Sequence, residues 1–421
     1  MTTLFPYARV RVPEDLKEVT SHGPEGDPRI VAMTSSDVEA IWTAVERLYQ
    51  TGTQPAIAFC LRRHGQVVLN RAIGHSHGNA PGDSGPGVLA TPDTPFCVFS
   101  ASKAITAMVI HLLDGRNLLR LDDRIEEYIP EFGTKGKQRT TLRHVLTHRA
   151  GIPSVAGDGN DVEMLTDDQK VLRLLCDAAP TSVPGRRLAY HAITGGFILG
   201  EVVRRITGKG IREFLRDEVQ RPLGFRWFNY GVSAQDVGAV AHNAVTGFPL
   251  PPGAAMLVRR ALGVGFSEAV TVSNDARYLT AVVPSGNLIA TAPEMAAFYQ
   301  VLLNEGELDG VRIFDRRTVR RALTETSYLE ADLTLGLPVR YGLGLMLGAK
   351  WLSPYGPATS QAFGHYGFVN VITWADPARG VAAALLTSGK PFLGPHLLRL
   401  WDVLSQVAHR CSRSRSRSKT R

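Results

Sequence analysis

Cysteine is scarce in this chain of 421 residues: Cys60, Cys97, Cys176 and Cys411 stand far apart, with no C-x-x-C pair. That spacing excludes a disulfide framework and a zinc ribbon, and it suits a reducing compartment. Long apolar runs are missing too. The best of them, Ala104 to Leu113, is too short to cross a bilayer and contains His111. The opening MTTLFPYARVRVPEDLKE lacks the apolar stretch of a secretory signal, so a cytoplasmic protein is expected. Neither a G-x-x-x-x-G-K-[ST] loop nor a dinucleotide fingerprint occurs, so no cofactor is expected. At 44% hydrophobic and 20% charged residues, the composition is that of an ordinary globular protein and excludes collagen, a coiled coil and wholesale disorder.

Charge is unevenly placed. The formal net charge is +8, but Arg410, Arg413, Arg415, Arg417, Lys419 and Arg421 crowd the final RCSRSRSRSKTR without a single acid. Removing these six leaves a nearly balanced body, which speaks against a basic nucleic-acid-binding domain. The tail itself could touch nucleic acid or an anionic membrane through phosphates. A disordered tail with no dedicated role is the simpler reading.

Residues 1–33, rich in Pro and Gly, read as an irregular extension. Thr34-Ser35-Ser36-Asp37 offers caps for a helix over roughly 36–51, with Val38, Ile41, Val45 and Leu48 on one face. AIAFCLRR, a turn at His64-Gly65 and QVVLNRAIG then give a strand–turn–strand signal. Residues 78–95 read as loop. From Ser100 the pattern is mostly helical, with Ile105, Met108, Val109, Leu112 and Leu113 at helical spacing. TGGFILGEVVRRITG is a further helix closed by Gly208. Another helix is expected from Pro293 to about Asn304, and then strand-like YGLGLMLG, NVITWAD and GVAAALLTSG. A last helix is expected near 394–409. Strands at both ends around helices in the middle suggest one α/β body with a helical insertion.

The sharpest chemical feature is Ser100-Ala101-Ser102-Lys103, opening a helix. Serine at i and lysine at i+3 share a helix face about 5–6 Å apart. A serine hydroxyl is a weak nucleophile until a neighbour takes its proton, and a lysine in an apolar site can do this or assist. The helix N-terminus adds partial positive charge and free N–H groups, both favourable for an oxyanion. Serine is also a common N-cap, so the motif alone is weak. Downstream, Tyr190 stands in GRRLAYHAITGG, and His365-Tyr366-Gly367 in FGHYGFVNVITW precedes a strand.

An S-x-x-K, a Tyr element and a [KH]-x-G element in this order resemble the serine β-lactamase and penicillin-binding-protein superfamily. LDDRIEEYIPEF with TLRHVLTHRAGIPS, and GNLIATAPEMAAFYQVLLNEGELDGVRIF, are similar to further stretches of it, over roughly residues 36–408. YHAITGGFILGEVVRRITG most resembles the family VIII carboxylesterases, including actinobacterial esterases and lipases. The resemblance implies an α/β (α+β) fold of β-lactamase/transpeptidase type, an antiparallel sheet flanked by helices plus an inserted mostly helical domain. The domains would be 34–99 with 285–409, and 100–284 between them, with 410–421 a basic disordered tail.

By the same resemblance Ser100 is the acylated nucleophile and Lys103 depresses its pKa. Tyr190 is the general base for attack and the acid for the leaving alkoxide. With an intrinsic pKa near 10, Tyr190 needs the Lys103 charge close by. The N–H groups of Ser100 and Phe368 form an oxyanion hole, such a donor being worth about 3 kcal/mol. His365 and Gly367 line the site, and Gly367 lets the strand approach the substrate. The sequence departs from the family pattern twice: Ala192 stands where Y-x-N has Asn, and His365 where lactamases usually have Lys. Both changes favour neutral esters over β-lactams or peptides. Tyr366, Phe363 and Phe368 would supply an apolar wall.

Two decoys compete. Gly74-His75-Ser76-His77-Gly78 fits the G-x-S-x-G elbow, but no helix can follow it directly. His75-x-His77 has no third ligand at suitable spacing nearby, and His144 and His148 lack the H-E-x-x-H glutamate because Val145 follows His144, so no metal is expected. The leading expectation is a serine esterase or lipase acting on a small-molecule ester through an acyl-enzyme. β-Lactamase, D-Ala-D-Ala carboxypeptidase or acyltransferase activity is the alternative, with a catalytically silent binding protein behind both.

Overall fold

The computed structural model describes residues 7–154 and 162–411. Both ends of the chain build one antiparallel sheet. Ala56–Arg63 turns through His64 and Gly65, at φ 45° and 87°, into Gln66–His77, the positive-φ pair that a two-residue hairpin requires. Along its other edge Ala56–Arg63 pairs with Val381–Thr387 from near the C-terminus, in the register Ile57 to Thr387. The sheet continues through Ile372–Asp376, Phe363–Tyr366, Met346–Leu347 and Pro338–Tyr341 to Ser327–Ala331. At the opposite edge Thr20–His22 pairs with Gln66–His77. The reading of residues 1–33 as irregular is therefore corrected for 20–22. Three residues are too few to show a period in the sequence, and the strand exists because a neighbouring edge offers partners.

Side-chain alternation explains the layers. On one face Ile57, Phe59, Leu61, Ile73, Trp374 and Leu385 pack against helices Ser35–Tyr49 and His396–Arg410. On the other, Ala56, Ala58, Cys60, Ala72, Ala382 and Ala384 are small. They let helix Ala292–Leu303, buried nearly all round, lie close to the sheet. Such a strand reads as a continuous apolar run because both faces are covered. The first helix begins where the caps predicted: Thr34 Oγ1 accepts from Asp37 N at 3.1 Å and Thr34 N donates to Asp37 Oδ2 at 2.9 Å. The last helix runs through Arg410, and Cys411 is buried. Arg410 and Cys411, expected in the tail, thus belong to the folded body, and 412–421 lie outside the described residues.

YGLGLMLG is a correction of another kind. It is not one strand: Tyr341 ends the strand Pro338–Tyr341, the chain turns back through Gly344 at φ 98°, and Met346–Leu347 pairs with Tyr341 as a second, short strand. The middle of the chain holds helices such as Thr194–Thr207, ended by Gly208 at φ 71°. It also contributes Asn229–Tyr230 to a small sheet with Leu288–Ala290 and Phe96–Cys97. That small sheet delivers the chain to Ser100. Among the described residues no helix is long and apolar enough to cross a membrane.

Candidate active site

Ser100 does not open the long helix as expected. It lies in a single tight turn, Phe99–Ala101, and the helix proper is Ser102–Gly115. The turn is strained: Phe99 sits at φ 48°, which costs a residue with a Cβ roughly 1–3 kcal/mol. Three contacts hold it. Ser102 Oγ donates to Phe99 O at 2.5 Å and accepts from Leu288 N at 3.0 Å. The Phe99 ring packs on Phe368 with centroids 5.5 Å apart. The buried Lys390 ammonium lies 4.7 Å over the same ring. The result lifts Ser100 to a half-buried position at the edge of a cleft.

Lys103, one turn on, is 8% exposed. Its Nζ lies 2.5 Å from Ala192 O, 3.0 Å from Ser285 O and 3.2 Å from Ser100 Oγ. Among the described residues no carboxylate pairs with it, and burial pulls its pKa down to about 7. A neutral amine has two N–H bonds and one lone pair. Both carbonyls can only accept, so they take the two N–H bonds and the lone pair falls toward the Ser100 hydroxyl. Lys103 is therefore placed to take the serine proton itself.

The Tyr190 phenol hydrogen-bonds the Ser100 side chain, and burial pushes its pKa above the ordinary tyrosine value. Lys103 Nζ stands 4.8 Å from the centre of its ring. Its backbone is pinned by Asp332, a fully buried carboxylate that sequence reasoning missed. Asp332 Oδ1 accepts from the N–H groups of Tyr190, Thr334 and Leu335 at 3.0, 2.9 and 3.0 Å. His148 was missed as well: its ring lies 4.7 Å from Tyr190 and its Nδ1 accepts from His191 N at 3.2 Å. Nothing in the sequence pairs Tyr190 with Asp332, because the contact exists only once the strand Ser327–Ala331 has joined the sheet.

On the far side, strand Phe363–Tyr366 brings His365, Tyr366, Gly367 and Phe368 to the serine. A Cβ on Gly367 would stand 2.3 Å from Val98 O, so only glycine lets this segment meet the strand that leads to the nucleophile. Gly367 N is spent on Val371 O at 2.8 Å. Among the described residues, neither Ser100 N nor Phe368 N donates to a backbone carbonyl, which leaves both for an oxyanion. His365 Nδ1 contacts Tyr366 O at 2.7 Å. Burial, seconded by Lys103, pushes its pKa down to about 3, so it is neutral at pH 7. Tyr366 donates its hydroxyl to Pro354 O. Phe363 does not join the wall. It is buried in the core beside Tyr299, with centroids 6.5 Å apart.

The decoys resolve plainly. Ser76 lies within strand Gln66–His77 with its hydroxyl on Val88 O at 3.2 Å, without the strand–turn–helix an elbow needs. Two cavities of unequal size open beside Ser100, and both are bordered by Leu262 and Phe368.

This sheet, the turn that presents Ser100 and the lysine beneath it define a serine hydrolase of β-lactamase fold. The Beta-lactamase family model matches residues 43–408, and the chain belongs to that family. It is 30% identical over 391 residues to the Esterase/beta-lactamase LipL of Mycobacterium tuberculosis, covering 88% of this chain and 86% of the relative. A crystal structure of a family VIII carboxylesterase matches with TM-score 0.76 and 25% identity, covering 90% of this chain and 99% of the other. A penicillin-binding protein homologue from Caulobacter crescentus matches with TM-score 0.75, 25% identity and the same coverage.

Proposed function

We propose that this protein hydrolyses carboxylic esters through an acyl-enzyme on Ser100, in a cleft between the α/β body of 34–99 with 285–409 and the helical region 100–284. The Lys103 geometry carries the reading. Ser100 Oγ attacks the ester carbonyl carbon while its proton passes to the neutral Lys103 amine. The oxyanion forms between the N–H groups of Ser100 and Phe368. As the ester C–O bond breaks, Tyr190 gives its proton to the departing alkoxide and regains one from Lys103. Water then attacks the acyl-enzyme by the reverse route, with Tyr190 and Lys103 taking its proton and Ser100 regaining its own.

A neutral His365 cannot hold a substrate carboxylate, and Ala192 offers a methyl group and a carbonyl already spent on Lys103. Both favour uncharged esters. The relative named esterase/beta-lactamase supports β-lactam turnover as the second reading. Four free, buried cysteines suit a reducing, cytoplasmic setting. The test is hydrolysis of p-nitrophenyl butyrate and of nitrocefin by the wild type, Ser100→Ala and Ser76→Ala. Loss of butyrate hydrolysis in Ser100→Ala alone is expected. Loss in Ser76→Ala alone would sink the assignment, and nitrocefin turnover matching ester turnover would favour the second reading.

A further inference from the structure

The two cavities beside Ser100 are not equivalent. Tyr190 borders the larger one, together with His365, Leu335 and Met346. The smaller one lacks Tyr190 and is walled by Leu165, Ile193, Val272 and Tyr278. The group that protonates a leaving alkoxide must stand beside that oxygen, within hydrogen-bond reach. Given Tyr190 in that role, the alcohol portion lies in the larger cavity, and the acyl chain is left the smaller one.

One helical pair roofs both. Helix Pro252–Leu262 puts Val258 and Ala261 into the larger cavity, and the following Val264 and helix Phe266–Val272, through Ala269 and Val272, line the smaller. Leu262, the last residue of the first helix, borders both cavities and stands as the partition over Ser100. Among the described residues lining either cavity there is no Asp, Glu, Lys or Arg. The polar groups of the smaller cavity are tied down: Tyr278 donates to Gly286 O at 2.9 Å, and Ser285 Oγ accepts from Gly196 N at 2.9 Å. An apolar group entering there displaces water without leaving a buried donor or acceptor unpaired, whereas a charged group would be desolvated without a partner.

We infer that the 252–272 helical pair sets specificity independently on the two sides of the ester, with Leu262 dividing them. The substrate class is then an uncharged ester carrying an apolar chain on both its acyl and its alcohol side. This inference rests on the ester-hydrolase reading and on Tyr190 as the acid.

The experiment uses a matched pair of substitutions, Ala269→Phe in the smaller cavity and Ala261→Phe in the larger, both at half-buried helix positions. Each protein is assayed on an acyl series with constant leaving group (p-nitrophenyl acetate, butyrate and octanoate). An alcohol series with constant acyl group follows (methyl, butyl and octyl butyrate). The readout is the ratio of kcat/KM for the longest member to the shortest, taken within one variant so that any loss of folded enzyme cancels. Filling a pocket by several carbons is expected to lower the relevant ratio about tenfold or more. For Ala269→Phe the fall comes in the acyl series alone, and for Ala261→Phe in the alcohol series alone. A crossed pattern, or equal falls in both series, overturns the assignment of the cavities, and unchanged ratios overturn the role of the helical pair. A wild type that hydrolyses none of these esters removes the underlying reading instead, as does a Ser100→Ala variant that keeps full activity.

Discussion

The floor of the site and its roof are built differently. In the floor, hydrogen bonds tie the key side chains to fixed partners: Lys103 to two carbonyls and a hydroxyl, Asp332 Oδ1 to three N–H groups, Ser102 to Phe99 and Leu288. In the roof the side-chain hydrogen bonds close within one helix, as where Glu268 Oε2 accepts from Gly265 N at 3.3 Å and Thr271 Oγ1 donates to Ser267 O at 3.1 Å. Helix Pro252–Leu262 starts without a side-chain cap and buries only Val258 fully, while Met256 is 70% and Leu257 42% exposed. A network of hydrogen bonds fixes positions to fractions of an ångström, as proton transfer demands. Apolar contact fixes only volume and sidedness, which is all that an acyl chain requires. Chemistry and specificity therefore sit on opposite walls of one cleft.

Substitutions in the floor give the largest effects. Tyr190→Phe keeps the ring beside His148 but loses the proton donor, and kcat/KM for p-nitrophenyl butyrate should fall by about 10²–10⁴-fold with Tm nearly unchanged. A variant retaining the wild-type rate would break the contrast at its strongest point. Asp332→Ala should act through position: three backbone N–H groups lose their acceptor inside the protein, and stability should drop by roughly 1–3 kcal/mol. Chemical denaturation reads the drop, and an unchanged midpoint would show that water replaces the carboxylate.

The next effect is a pH limb. Lys103 accepts a proton only as the free amine, and its pKa lies at about 7. Ester kcat/KM should therefore fall about tenfold per pH unit below 7 and level off above it. His365 stays neutral across that range and adds no limb. A profile flat from pH 5 to 8 would remove Lys103 as the base.

The roof should give the smallest effect. Leu257→Ser replaces an exposed side chain and should move stability by less than about 0.5 kcal/mol. A larger loss, read by thermal unfolding, would mean that the roof is tied down more firmly than its exposure shows.

Lys390 sharpens the comparison from within the floor. Like Lys103 it is buried with no carboxylate paired to it among the described residues, and burial draws its pKa down to about 7. It donates to Thr387 O at 2.7 Å and faces the Phe99 ring, and among the described residues no side-chain hydroxyl hydrogen-bonds it. A depressed lysine pKa is thus a property of burial. What makes Lys103 chemically useful is Ser100 at 3.2 Å.

Much of this was written in the chain order. The S-x-x-K spacing, the tyrosine and the H-x-G element name Ser100, Lys103, Tyr190, His365 and Gly367, because each lies in a local motif with a fixed offset. The capping box at Thr34, the hairpin at His64-Gly65 and the helix ended by Gly208 were legible for the same reason: their hydrogen bonds close within a few residues. Only the tertiary structure decided the rest. The carbonyls of Ala192 and Ser285 that orient Lys103 are main-chain atoms any residue could supply. Asp332 reaches Tyr190, and the edge strand Thr20–His22 finds its partner, through contacts far apart in sequence. Leu262 becomes a partition only when two helices are laid over the serine. Local hydrogen bonding and side-chain period are properties of neighbours in the chain, whereas burial, proton affinity and the division of a cavity belong to neighbours in space.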